Sequence, residues 1–218
     1  MNVNEIEPRK TALLFFDMLN VYYHGAEKEK KESMRPVIDN AVRLRDGART
    51  AAIPIFYAQA NHPPDGATNN RVITDTDMRL RPWPTSEFVP KPPAATAGSW
   101  EAAIIEELKP QPEDTVIPKY RWSAFFQTYL DLALRARRID TIILSGGSTE
   151  VGAASTVYAA RDMDYHIIIA RDACSGSQME AHDILMDKVL PKMARVRSTD
   201  PALTFQMASH CREPTDDA

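Results

Sequence analysis

Cysteine is scarce: Cys174 and Cys211 are the only two in 218 residues, too few for a disulfide framework in a chain of this size. No CxxC or Cys/His pairing offers zinc a site, so neither structural metal nor thiol redox chemistry is expected. Excess positive charge is missing as well. The 26 Lys+Arg against 30 Asp+Glu leave a formal net charge of −4, the wrong sign for gathering polyanions, and no nucleic-acid partner is expected. No apolar run reaches the roughly 18 residues that a membrane-spanning helix needs. The opening MNVNEIEPRK is charged where a signal peptide is hydrophobic, so no membrane partner and a cytoplasmic location are the expectations. There is no GxGxxG fingerprint and no Walker lysine, which argues against a nucleotide cofactor.

What is present reads as one compact domain over 1–218. Hydrophobic residues make up 44% and charged residues 26% of the chain, the balance of an ordinary globular protein. Apolar runs alternate with helical patterns, which predicts a three-layer α/β/α fold around a roughly six-stranded parallel, Rossmann-like sheet. The predicted strands are 11–16 (TALLFF), 53–59, 115–118, 141–145, 166–170 and a short one near 194–198. The predicted helices are 35–50, 100–108, 126–137, one from about 149, and 178–190. The first carries Val37, Ile38, Ala41, Leu44 and Ala48 on one stripe. The stretch 60–100 contains seven prolines, including Pro63, Pro64, Pro92 and Pro93, and reads as an irregular excursion covering a site mouth or a subunit interface, with Trp83, Phe88 and Trp100 as anchors. Residues 199–218 read as a tail.

Ligands of open parallel sheets bind beyond the carboxyl ends of the strands, where strand order reverses. That rule selects Asp17 after the first strand, Gln59 at the end of the second, Lys119 after TVIP, and the turn GGSTEVG at 146–152. Asp17 alone could be a helix cap or a solvated turn residue. Far apart in the chain, Asp17 and Lys119 can meet only across the rim of the sheet, where each perturbs the proton affinity of the other. The glycine turn opens a helix. Its amides, with those of Ser148, Thr149 and Gly152 at the centre, suit a carboxylate or a developing oxyanion, although glycines also simply tighten strand-to-helix turns.

Together these residues carry a resemblance. Asp17 in LLFFDMLN, Lys119 in KYRWSAFFQT and the segment ILSGGSTEVGAASTVYAARDMDYHIIIARDAC are similar to the isochorismatase-like hydrolase superfamily, over residues 11 to about 198. The resemblance implies a six-stranded parallel sheet, a small-molecule substrate and a homo-oligomer. Amidase members use an Asp, a Lys and a Cys. Asp17 and Lys119 match the first two, and Gly152 stands at the cysteine position, so covalent catalysis there is ruled out. Cys174 is expected to be a buried structural residue.

True isochorismatases also resemble the chain, in having glycine at that position and a similar lysine segment. They cleave a vinyl ether: an acid protonates the enol carbon, water adds, and the hemiketal collapses. The family's DMQNDF reads DMLNVY here, and the D-x-H of its metal-binding subgroup is replaced by Gln59, Ala60 and Asn61; no metal is expected, and His62 is read as a loop histidine. Gln59, Ser148, Thr149 and Gly152 are the expected substrate-binding residues, with Gly152 leaving space for substrate or water. The favoured function is metal-free hydrolysis of a small carboxylated metabolite by water, assisted by Asp17 and Lys119. The alternatives are cysteine-free amide or ureide hydrolysis and a non-catalytic binding descendant.

Overall fold

The computed structural model describes residues 6–25, 28–68 and 95–199, with 28–31 as backbone only. Most of the 60–100 excursion, with Trp83 and Phe88, lies outside the described residues, as do residues 200–218 of the tail and Cys211. In chain order the elements are β1 (Thr11–Phe16), α1 (Asn20–Tyr23), α2 (Lys28–Thr50), β2 (Ile55–Ala60), β3 (Thr115–Lys119), α3 (Leu130–Ala136), β4 (Thr141–Gly147), α4 (Ala154–Asp162), β5 (His166–Ser175), α5 (Met179–Ile184) and β6 (Arg195–Arg197). The strands form one sheet in the order β3-β2-β1-β4-β5-β6, parallel throughout. The expected α/β architecture is present.

Strand residues alternate between faces, and β1 shows why TALLFF is apolar throughout. Ala12, Leu14 and Phe16 pack with Leu130, Leu134, Val157 and Ala160 of α3 and α4. Leu13 and Phe15 pack on the other face with Ile38, Ala41, Leu44 and Ala48 of α2, the stripe expected from spacing. At about 25 cal/mol per Å² of apolar surface removed from water, a strand buried on both faces is a major contributor to stability. Strand order reverses between β1 and β4, so the chain leaving these two strands defines the crevice of the sheet. Among the described residues no helix is long and apolar enough to cross a membrane.

Several element boundaries differ from the sequence expectation. Helix α2 begins at Lys28 rather than 35 and carries Pro36 inside; its Lys- and Glu-rich first turns are good helix formers. The segment 100–108 is not a helix except for a 3₁₀ turn at Glu106–Leu108. Its backbone is engaged elsewhere: Asn20 N–H donates to Ala103 O at 2.9 Å and Ile105 N–H to Met18 O at 3.0 Å. Helix α3 starts only at Leu130, because Gln127 at φ 54° interrupts helical geometry just before it. Before α4 the chain makes a π-helical turn, Thr149–Ala153, and the helix expected at 178–190 continues from α5 through a π turn and a 3₁₀ turn to Lys192.

Candidate active site

Asp17 leaves β1 in the left-handed region, at φ 47°, a conformation that Asp tolerates better than most residues. Its N–H donates to Ala58 O at 2.9 Å and its C=O accepts from Leu19 N–H at 2.7 Å. These bonds turn the side chain inward, where Oδ1 accepts the Ala60 N–H at 2.8 Å and Oδ2 lies 2.6 Å from Lys119 Nζ. Lys119 comes from β3, two strands away from β1, or roughly 10 Å at about 4.8 Å per strand. Its four-carbon stem and the Asp17 side chain together bridge that distance, and Nζ lies 4.4 Å from the centroid of the Phe16 ring. Both partners are buried, Asp17 at 6% and Lys119 at 5% exposure. Burial raises the Asp17 carboxyl above its ordinary range, outweighing the lowering by Lys119 and the Ala60 amide.

Residues 95–105 close over this end of the sheet. Leu19 and Ala60 pack with Ala95 and Ala102, which explains why Leu19 is apolar here. Gln59 directs its amide into the same wall, Nε2 donating to Ala102 O at 2.7 Å. His62 is a loop histidine, its Nδ1 2.9 Å from Thr68 Oγ1.

On the other side of Asp17 lies the glycine turn. Gly146 pairs with Phe16 at a register shift in the β4–β5 ladder and has φ 117°. Ser148 is half-buried and its C=O accepts from Ala153 N–H at 3.1 Å. Thr149 is fully buried and faces β5, donating to Ser175 O at 3.0 Å. Its single hydroxyl hydrogen is thereby committed, so the contact of 2.8 Å with His182 Nδ1 is a bond that His182 donates. Burial lowers the His182 pKa and keeps the ring neutral. Thr149→Val keeps the shape and leaves both partners unsatisfied; we expect a loss of ~1–3 kcal/mol in urea unfolding.

At Gly152 the structure corrects the expectation of open space. A Cβ there would lie 2.3 Å from Cε1 and 2.4 Å from Cζ of Phe16, far inside carbon–carbon contact at about 3.5 Å. The turn itself is held firmly. Thr156 Oγ1 donates to Gly152 O at 2.8 Å and accepts the Ala124 N–H at 3.0 Å, linking the KYRWSAF loop to α4. Cys174 is buried and its thiol pKa is pushed up to about 12 by desolvation.

Lys119 Nζ and Gly152 thus border one ring, that of Phe16, the residue before Asp17, while Gln59 Nε2 and the Thr149 hydroxyl are bonded to protein partners. Phe16 and His182 were not foreseen, whereas Gly146 belongs to the turn that the sequence singled out. No local pattern distinguishes Phe16 from the other apolar residues of β1, and His182 sits in an ordinary helical stretch. Among the described residues no group of three or more His, Cys, Asp or Glu side chains is placed to hold a metal ion.

The chain is similar to known proteins. The isochorismatase domain family matches residues 11–201. A ureidoacrylate amidohydrolase RutB from Pseudomonas savastanoi pv. phaseolicola is 32% identical over 184 residues, covering 77% of this chain and 71% of that protein. The isochorismatase family protein YecD of Escherichia coli O157:H7 is 29% identical over 201 residues, 91% of this chain and 97% of that protein. Among solved structures, an isochorismatase family protein from Burkholderia thailandensis aligns with TM-score 0.76 and 26% identity over 93% of this chain and 98% of that one. N-carbamoylsarcosine amidase from Thermoplasma acidophilum aligns with TM-score 0.67 and 25% identity over 88% and 97%. Sequence match and fold agree, and the chain belongs to the isochorismatase family of hydrolases.

Proposed function

We propose that the protein hydrolyses a small carboxylated metabolite without metal, with Asp17 as the proton-transfer group and water as the nucleophile. The observation that carries this reading is the buried Asp17–Lys119 pair, 2.6 Å apart, beside a position that has no nucleophilic side chain. Burial favours the neutral carboxyl of Asp17, the form that can donate a proton. In vinyl-ether cleavage that proton goes to the enol carbon, water adds to the oxocarbenium carbon and returns a proton to Asp17, and the hemiketal separates into a carbonyl compound and an alcohol.

Lys119 Nζ carries three hydrogens. Asp17 Oδ2 and Arg121 O at 3.4 Å take two directions, and a substrate carboxylate is assigned to the remaining one. The turn before α4 adds the partial positive charge of a helix start.

A second reading, cysteine-free amide or ureide hydrolysis, is favoured by the names of the amidohydrolase and amidase relatives. A panel of isochorismate, small amides and ureides separates the two. Pyruvate release supports vinyl-ether cleavage, ammonia release supports C–N hydrolysis, and no product from any of them overturns the proposal. Once a substrate is in hand, thiol alkylation and exhaustive chelation should each leave most of the rate. A collapse after either treatment, with the fold intact by circular dichroism, identifies a thiol or metal mechanism instead.

A further inference from the structure

We infer that Phe16 is a positioning residue of this site: its ring fills the volume a side chain at 152 would need and seats the Lys119 ammonium against Asp17. The inference rests on the reading of Asp17 and Lys119 as the reacting pair. Three observations meet at one ring. The Cβ direction of Gly152 runs into Cε1 and Cζ at 2.3 and 2.4 Å, whereas Cδ1 is 3.4 Å away. Lys119 Nζ stands 4.4 Å from the ring centroid. Phe16 is 1% exposed and precedes Asp17 directly, so the backbone that places the ring also places the carboxylate.

An ammonium taken out of water needs partners on every side. Asp17 Oδ2 at 2.6 Å and Arg121 O at 3.4 Å accept two of its hydrogens, the third is left for the substrate carboxylate, and the aromatic face adds electrostatic attraction without taking a hydrogen-bond direction. The ring limits where Nζ can go, and the tight contact with Asp17 follows from that confinement. The same ring makes glycine a steric requirement at 152. Positions 16 and 152 are therefore a matched pair, and water chemistry is built into the packing as well as into the missing thiol.

The pair is tested with Phe16→Leu, Gly152→Cys and the double variant. Leucine ends at the δ carbons, so it removes the two atoms that collide with a side chain at 152 and retains the one at ordinary contact distance. Gly152→Cys alone should lower the melting temperature markedly and produce no amidase. In the Phe16→Leu background the same change should be nearly neutral, and the introduced thiol should react with iodoacetamide at residue 152, mapped by peptide mass. Equal melting temperatures for Gly152→Cys and the parent would overturn the filling role.

The positioning role is read from titration. Phe16→Leu should shift the Asp17 carboxyl titration, followed by carbon NMR, to higher pH, because a less confined ammonium stabilises the carboxylate less. A cavity alone would lower stability and leave that titration in place, and an unshifted titration overturns the role. With a substrate, kcat should fall about thirtyfold in the same variant, which corresponds to the loss of a desolvated cation–π contact. Stability, alkylation and NMR need no substrate, so a failed substrate panel and a failed pairing give different results.

Discussion

Asp17→Asn should lower the chemical step by roughly 10² to 10⁴ and, in the same protein, weaken the fold. Asparagine can still accept the Ala60 N–H, which Asp17 Oδ1 holds at 2.8 Å, but at any pH above the folded-state value, where Asp17 is ionised, it leaves Lys119 without a counter-charge at 5% exposure. Breaking a buried pair from one side costs about 3–5 kcal/mol, whereas removing both charges is close to neutral. The double variant Asp17→Asn/Lys119→Met should therefore regain most of the stability lost and none of the activity. Denaturant unfolding and a rate measurement on the three proteins decide it. A double variant no more stable than Asp17→Asn would mean that the pair does not couple energetically.

The pH dependence has a definite sign. Asp17 has its pKa raised by burial, so a rate that needs the protonated carboxyl is present on the acid side and lost as pH rises through the folded-state value. The same shift means that the native state holds a proton which the unfolded chain releases from the ordinary value of 3.8 upward. This group's contribution to stability accordingly declines across that window. Lys119→Met removes the charge that favours the carboxylate and should move the alkaline limb to higher pH. A limb moving to lower pH would assign the titration to another group.

Gly146→Ala should be among the most damaging single-methyl additions in the protein. At φ 117° its Cβ would meet Phe16 O at 2.1 Å and Phe16 C and N at 2.9 Å. All three are backbone atoms of the central strand, which cannot move aside as a flexible side chain would. A loss of roughly 4 kcal/mol or more belongs to this class of change, lowering Tm by about 8 to 16 °C in a chain of this length. Any folded remainder should have reduced kcat, since the displaced carbonyl is bonded to the Asp17 nitrogen. Gly98→Ala is the control: φ is 80° and nothing lies within 4 Å of its Cβ. Left-handed strain alone, about 1–2 kcal/mol, should be its whole cost. Equal losses at the two positions would remove the collision from the account.

The strands of this protein were legible because burial on both faces demands unbroken apolar runs, and TALLFF, TIILS and HIIIA are such runs. Helix ends were less so: Pro36 inside α2 and Gln127 before α3 are tolerated or imposed by neighbours rather than by local preference. The segment 100–108 has helical composition, yet its backbone bonds to Met18 and Asn20, and bonding to a distant segment overrides propensity. Of the expected site residues, Asp17 and Lys119 were found as charges terminating apolar strands, and the structure brings them into contact. Gln59 Nε2 is bonded to Ala102 O, and the Thr149 hydroxyl to Ser175 O and His182.

Sequence by itself determined the layered sheet, the rim on which Asp17, Lys119 and the glycine turn gather, and the absence of a side chain at 152. Each of these follows from residue type and periodicity within one element. Only the tertiary structure decided what occupies the place left by that absence. The Phe16 ring reaches Gly152 because parallel β1 and β4 are adjacent and Gly146 lets their backbones approach. It carries Lys119 because β3 stands two strands away, a gap that the lysine and the side chains of β1 bridge together. Periodicity tells a residue which face it is on; the atoms it meets there belong to segments far away in the chain, and their positions are set only when the whole sheet closes.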